Sequence, residues 1–150
     1  MKALLFLLLI TTSNVAFSQI ANLETVRNFW DTNIMEIIRL EKDKIIEHTN
    51  YPVEGSWGYI LELEGEAETW TTEDFNAGIP FLFNEELRSA LRSKSYNDLV
   101  HFKNDNGELE FILQVTTITS TEDGDFESST FLYFKKFEGV WKLFKMEYAG

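Results

Sequence analysis

The sequence predicts an α+β domain in which N-terminal helices pack on an antiparallel sheet, and three observations carry that prediction. Apolar residues recur at helical spacing from Leu23 to Ile38. The last twenty residues, Phe131 to Gly150, form the densest aromatic and β-favouring run of the chain, and Glu138-Gly139 splits them into two strands of a hairpin. Hydrophobic residues at 44% and aromatics at 15% suit a chain that buries one core rather than a disordered one. Helices followed by a meander of strands are the layer pattern of an α+β domain.

At the N-terminus, Met1-Lys2 is a minimal charged segment, Ala3 to Ile10 is an apolar run, and Ala16-Phe17-Ser18 places small residues where a signal peptidase reads. Residues 1–18 are therefore expected to be a signal peptide, leaving a single domain over residues 19–150. The apolar run is too short for a lasting membrane anchor. The sequence contains no cysteine, so a lipid-modified N-terminal Cys and structural disulfides are both excluded. The expected location is periplasmic or extracellular, and the expected product is not a lipoprotein. With Lys2 removed, 12 basic residues remain against 25 acidic ones, and that acidic balance argues against nucleic acid and anionic membranes as partners.

Leu23, Val26, Trp30, Ile34, Ile37 and Ile38 share one helical stripe, with Glu24, Asp31, Glu36 and Lys42 off it. Two continuations compete. If the helix runs on, Glu41 falls within the stripe, His48 lies one heptad further and Arg27 sits at its edge, so the three could converge in a cavity as acid or base groups. If it breaks near Leu40, Asp43 caps a second short helix ending at His48 and Glu41 stays in solvent. The polar run Glu41-Lys42-Asp43-Lys44 favours the break.

Asn50 to Gly55 reads as a turn, because Pro52 disfavours helix at Tyr51 and Gly55 is a turn former. Trp57 to Leu63 then reads as a strand with Trp57, Tyr59, Leu61 and Leu63 on one face, and Trp57 and Tyr59 are candidates for a pocket mouth. Glu62, Glu64, Glu66 and Glu68 alternate beyond it. Such acids could gather a hard cation, but they fit better as the wet face of an edge strand. Thr71-Thr72-Glu73-Asp74 opens a short helix with a capping pattern, Gly78 and Pro80 are expected to interrupt it, and Phe81 to Arg92 forms the next. Ser93 to Asn97 reads as a loop and Asp98 to Phe102 as a short strand.

Two Gly-containing acidic turns invite comparison with a calcium-binding loop. With Gly107 as its invariant glycine the end positions would be Phe102 and Leu113, and with Gly124 the first position would be Thr119, so neither fits and both are hairpin turns. Glu108 to Ser120, Phe126 to Lys136 and Val140 to Tyr148 are then three long strands. Phe131 and Tyr133 point one way and Leu132 and Phe134 the other, so this strand is apolar on both faces and is expected to be covered on both.

An amphipathic helix, a short helix ending in Tyr51-Pro52, a small middle helix, and strands closing on Phe134-Lys135-Lys136-x-x-Gly139-x-Trp141-Lys142-Leu143 together resemble the nuclear transport factor 2-like superfamily, most nearly its small exported bacterial members of unknown function. The resemblance spans roughly residues 23–150. It implies a cone-shaped, curved sheet wrapped by helices (the cystatin-like cone), with Trp141 and Leu143 packing on them, and often a homodimer through the sheet. That family includes isomerases, dehydratases, cyclases and non-catalytic binding modules, so the resemblance alone transfers no activity. Its catalytic members place an Asp, His or Tyr inside the cone. Here the two histidines, His48 and His101, stand in no matching motif, and no nucleophile elbow, His-x-x-x-His or phosphate loop is present.

The expectation is a non-catalytic module that binds a protein, a second copy or a small apolar ligand, with no cofactor and no metal. The alternative is an isomerase- or dehydratase-type enzyme. Arg27, Glu41, His48, Trp57 and Tyr59 are the candidate pocket residues.

Overall fold

The structure is a computed structural model that describes residues 24–55, 69–105, 108–121 and 124–149. The expected signal peptide, Leu23, the expected strand from Trp57 to Leu63 and the acidic run through Glu68 lie outside these residues, so Trp57 and Tyr59 have no described position. Helix α1 covers residues 24–39, with a π-helical turn at Trp30–Ile34 and a regular α-helical end at Met35–Arg39. α2 is Lys42–Glu47, β1 is Thr49–Glu54, β2 is Thr69–Trp70, α3 is Thr72–Leu82, α4 is Glu85–Ser93 and α5 is Tyr96–Leu99. The long strands follow: β3 Val100–Asp105, β4 Glu108–Thr121, β5 Gly124–Phe137 and β6 Val140–Ala149.

These strands form one six-stranded sheet in the order β2-β1-β6-β5-β4-β3. Only β1 and β6 run parallel; the other neighbours are antiparallel. The helices cover one face, where Phe111, Leu113, Val115, Leu132, Phe134, Trp141, Leu143 and Met146 are buried against Val26, Phe29, Ile34 and Ile37 of α1 and Leu87 and Leu91 of α4. This is the α+β class that the strand and helix patterns predict. Among the described residues, no helix is long and apolar enough to cross a membrane.

α1 departs from the simple stripe because of its π turn. A π turn adds a residue to the helical repeat. Phe29 and Ile34, five apart, therefore both face the core, while Trp30 and Ile38 are only half-buried. The helix ends where Leu40 adopts a left-handed conformation at φ 57°. The expected break thus occurs, but Glu41 rather than Asp43 occupies the N-cap position of α2, and its side chain makes no capping bond.

Three further expectations are corrected. Thr49–Glu54 is a strand, not a turn. It contains the cis Tyr51-Pro52 bond, and its register with β6 shifts between Thr49 and Glu54, the kind of irregularity that lets a proline sit in a sheet. Gly78 and Pro80 do not interrupt α3: the capping box at Thr71 and Asp74 starts it, and Phe75, Gly78, Ile79 and Leu82 bury one continuous face that offsets the missing proline donor. The break falls instead at Phe83-Asn84, where the Asn84 side chain accepts from Leu87 N at 2.9 Å and starts α4. Asp98 is not in a strand. It closes a capping box with Ser95, accepting from Ser95 N at 3.1 Å and from Ser95 Oγ at 2.6 Å, and so ends inside α5.

The C-terminal hairpin matches its expectation. Glu138 (φ 52°) and Gly139 (φ 83°) both take positive φ, as a two-residue turn between twisted antiparallel strands requires.

Candidate functional site: a filled interior and an open sheet face

Among the described residues, the space between α1 and the middle of the sheet is occupied by rings. Phe111 and Phe134 are directly opposite on β4 and β5, and their rings stack at 4.6 Å with 5° between planes. Phe29 meets them edge-on at 5.6 and 5.3 Å, and Trp141 meets Phe111 at 5.0 Å. The Trp141 indole donates to Thr25 Oγ1 at 3.3 Å, so its polar end is satisfied without a ligand.

Beside this stack a cavity of about 20 Å³ remains, lined by Phe29, Asn33, Glu36, Ile37, Ile45, His48, Thr49, Phe83, Phe134 and Leu143. That is room for about one water molecule and not for a substrate. Its polar wall is a triangle. His48 Nδ1 lies 2.9 Å from Glu36 Oε2 and 2.8 Å from Asn33 Nδ2, and Asn33 Nδ2 donates to Glu36 Oε2 at 3.2 Å. A protonated Nδ1 donates to Glu36; a bare Nδ1 accepts from Asn33. The two bonds exclude each other, so the imidazole has two hydrogen-bonded states in one position. His48 is also tied to the sheet, because its carbonyl accepts from Leu143 N at 2.9 Å.

Of the candidate residues with described positions, Arg27, Glu41 and His48, only His48 reaches this cavity. Arg27 is exposed on α1, 3.4 Å from Asp31, with its guanidinium 4.8 Å from the centre of the Tyr96 ring. Glu41 is exposed at the α1–α2 joint, 3.5 Å from Arg39. The polar partners of His48, Asn33 and Glu36, were placed off the apolar stripe or left unassigned by sequence. They face the cavity because the π turn, which contains Asn33 and precedes Glu36, shifts the helical register. Their i, i+3 spacing was the available signal, and it gains meaning only once that shift is known. Among the described residues, no group of three His, Cys, Asp or Glu side chains could hold a metal ion.

The opposite sheet face is built of three cross-strand rows. One is Lys103, Glu110, Lys135 and Lys142; the next is His101, Ile112, Tyr133 and Lys145; the third is Gln114, Phe131 and Glu147. Most of these side chains are half-exposed. Phe144 is buried among them, its ring 6.4 Å from Tyr133 and 6.3 Å from Phe137. The lysine heads lie over rings: Lys135 Nζ is 4.6 Å from the centre of Phe144 and 5.2 Å from that of Phe137, and Lys145 Nζ is 5.0 Å from that of Tyr133. The Tyr133 hydroxyl donates to Glu147, which also receives Lys145 at 2.6 Å. Burial, then the hydrogen bond to Glu147 and its charge, push the Tyr133 phenol well above its ordinary range. For Glu147, burial acts upward, but the bonds from Lys145 and Tyr133 prevail and hold it below the usual carboxylate value. The expected cover on both faces of β5 is therefore present on one side only among the described residues.

No protein-family model and no curated protein matches the chain. Two similar solved structures are designed proteins: a five-substitution variant of Rd1NTF2_05, 15% identical with a TM-score of 0.46, and "Rd1NTF2_05 with long sheet", 13% identical with a TM-score of 0.42. The first match covers 85% of this chain and 99% of that one; the second covers 83% and 96%. The fold assignment rests on the layer of helices and the strand order themselves, which are those of an α+β fold with helices on one face of a mostly antiparallel sheet, the architecture that the resemblance to nuclear transport factor 2-like proteins implied.

Proposed function

We propose that this chain is an exported, non-catalytic interaction domain that works through the open face of β3–β6. The observation that carries the reading is the contrast between the two sheet faces among the described residues: beside α1 the packing of Phe29, Phe111, Phe134 and Trp141 leaves a cavity for about one water, while the other face presents Phe131, Tyr133 and Ile112 half-exposed among lysines. A domain that binds inside its fold needs a pocket of roughly 300 Å³ or more. Export rests on the N-terminal sequence, with cleavage after Ser18.

Paired substitutions test the reading. Ile112→Thr with Phe131→Ser on the open face should leave the unfolding free energy within about 1 kcal/mol of the parent, whereas Phe134→Ala on the filled face should cost about 3–5 kcal/mol. Equal losses on the two faces would mean that the open face is part of the core, and would end the reading.

A second reading rests on the Glu36–His48 pair. A carboxylate that fixes one imidazole nitrogen leaves the other as a general base, the arrangement an isomerase- or dehydratase-type enzyme would use. It requires space beside the ring. If planar enolate analogues shift the His48 ring resonances saturably in solution, this reading replaces the first; if they leave them unmoved, it fails.

A further inference from the structure

We infer that the partner of the open face is an acidic protein segment, seated on the Lys135–Lys142 pair; this rests on the interaction-domain reading above. The chain carries 25 acidic residues against 13 basic ones, yet the three central rows of this face hold four lysines and two glutamates. The rows beyond them carry Glu108 and Glu127, so the basic character is local to the middle of the sheet. Lys135 and Lys142 are direct cross-strand neighbours, a pairing of like charges that destabilises a sheet. Among the described residues, neither has a carboxylate within ion-pair distance. Glu110 stands opposite Lys135 on β4 without closing an ion pair, and Glu47 of α2, held below the usual carboxylate range by its bond to Lys44 and, less strongly, by Lys142, lies 2.7 Å from Lys44.

The floor under the pair supplies the rest of a docking surface. Phe137 and Phe144 hold the Lys135 ammonium over their faces, which orders a long side chain before any partner arrives. A carboxylate set between the two ammoniums removes their repulsion and gains two charge-assisted bonds, while the adjacent rings receive the apolar stem of the same segment. A second copy is the poorer occupant. Two faces that each carry an excess of lysines meet with like charge, which costs association rather than favouring it. Both strands of the pair are interior to the sheet, so the segment docks by side chains and not by adding a strand.

The test uses the full chain, a short oligo-glutamate peptide as probe, and two variants of equal charge change. Lys135→Gln with Lys142→Gln alters the site; Arg39→Gln with Lys42→Gln, the α2 variant, alters exposed cations at the α1–α2 joint. The parent should bind the peptide at about 50 mM salt despite its own negative charge, and lose it at about 300 mM. The face variant should bind at least about tenfold more weakly and the α2 variant should match the parent. Absence of binding by the parent, or equal weakening by both variants, overturns the proposal. So does sedimentation of the parent as a dimer that the face variant dissolves, which would assign the face to a second copy and leave the interaction-domain reading standing.

Discussion

Tyr133 and Glu147 share one proton-rich contact on the open face, and its pH dependence follows from the direction in which each group is shifted. Glu147 is held below its ordinary value, so its contribution to stability is present above the unfolded carboxylate value near about 4.3 and is lost as pH falls through the lower folded one. Tyr133 is raised, so its contribution is full below about pH 10 and is lost as pH rises toward the folded value. Tyr133→Phe should therefore shallow the loss of stability in acid, because Glu147 loses one of the bonds that depress it. Urea unfolding from about pH 3 to pH 7 reads that slope. An unchanged acid limb would place the depression of Glu147 on Lys145 alone. At the same scale, Gly139→Ala should cost about 1–2 kcal/mol from backbone strain alone, since φ is +83° and nothing lies within 4 Å of an added Cβ. Thermal or urea unfolding measures it.

Each element has its own determinant, and some of these can be read from the sequence while others cannot. Thr71 accepts from Asp74 N at 3.2 Å to start α3, and Thr71→Ala should cost about 1 kcal/mol in equilibrium unfolding. Lys142→Glu, opposite Lys135 on β5, should stabilise the hairpin by about 0.2–1 kcal/mol by replacing repulsion with an ion pair. The hairpin that holds these two lysines was legible because Glu138-Gly139 interrupts two runs of β-favouring residues, a purely local signal. The capping pattern at Thr71 was equally local, whereas Ser95 to Asp98 reads as loop and strand because the helix it starts is only four residues long and shows no helical period. β1 was not legible. Its partner β6 is distant in sequence, and Pro52 reads as a breaker to any local rule, whereas the parallel pairing with β6 absorbs it at a register shift. The π turn of α1 escapes for a related reason: apolar residues at 26, 30, 34 and 38 satisfy a regular helix just as well, and only packing against Phe111 and Phe134 selects Phe29 instead. That one-residue shift also hid Asn33 and Glu36, so His48 was recognisable as a candidate while its partners were not.

At the scale of the whole molecule, the same strands build two unlike faces of one sheet among the described residues. Even-numbered residues of β5, Leu132 and Phe134, close the interior; odd-numbered ones, Phe131 and Tyr133, are left half-exposed beside lysines on an otherwise acidic chain. The double-sided apolar pattern was visible in the sequence, but which side the helices would cover was not, because strand periodicity assigns residues to faces without saying which face is inside. The proposal is that recognition lies on the open face and not in the small cavity beside the Phe29–Phe111–Phe134 stack. A titration of the folded chain with benzene, followed by methyl resonances of Ile37, Ile45 and Leu143 around the small cavity, tests it most directly. A cavity of about 150 Å³ binds benzene readily. With about 20 Å³ available, no saturable shift is expected at these methyls; saturable shifts there, abolished by filling the cavity, would contradict the account and return the function to the interior.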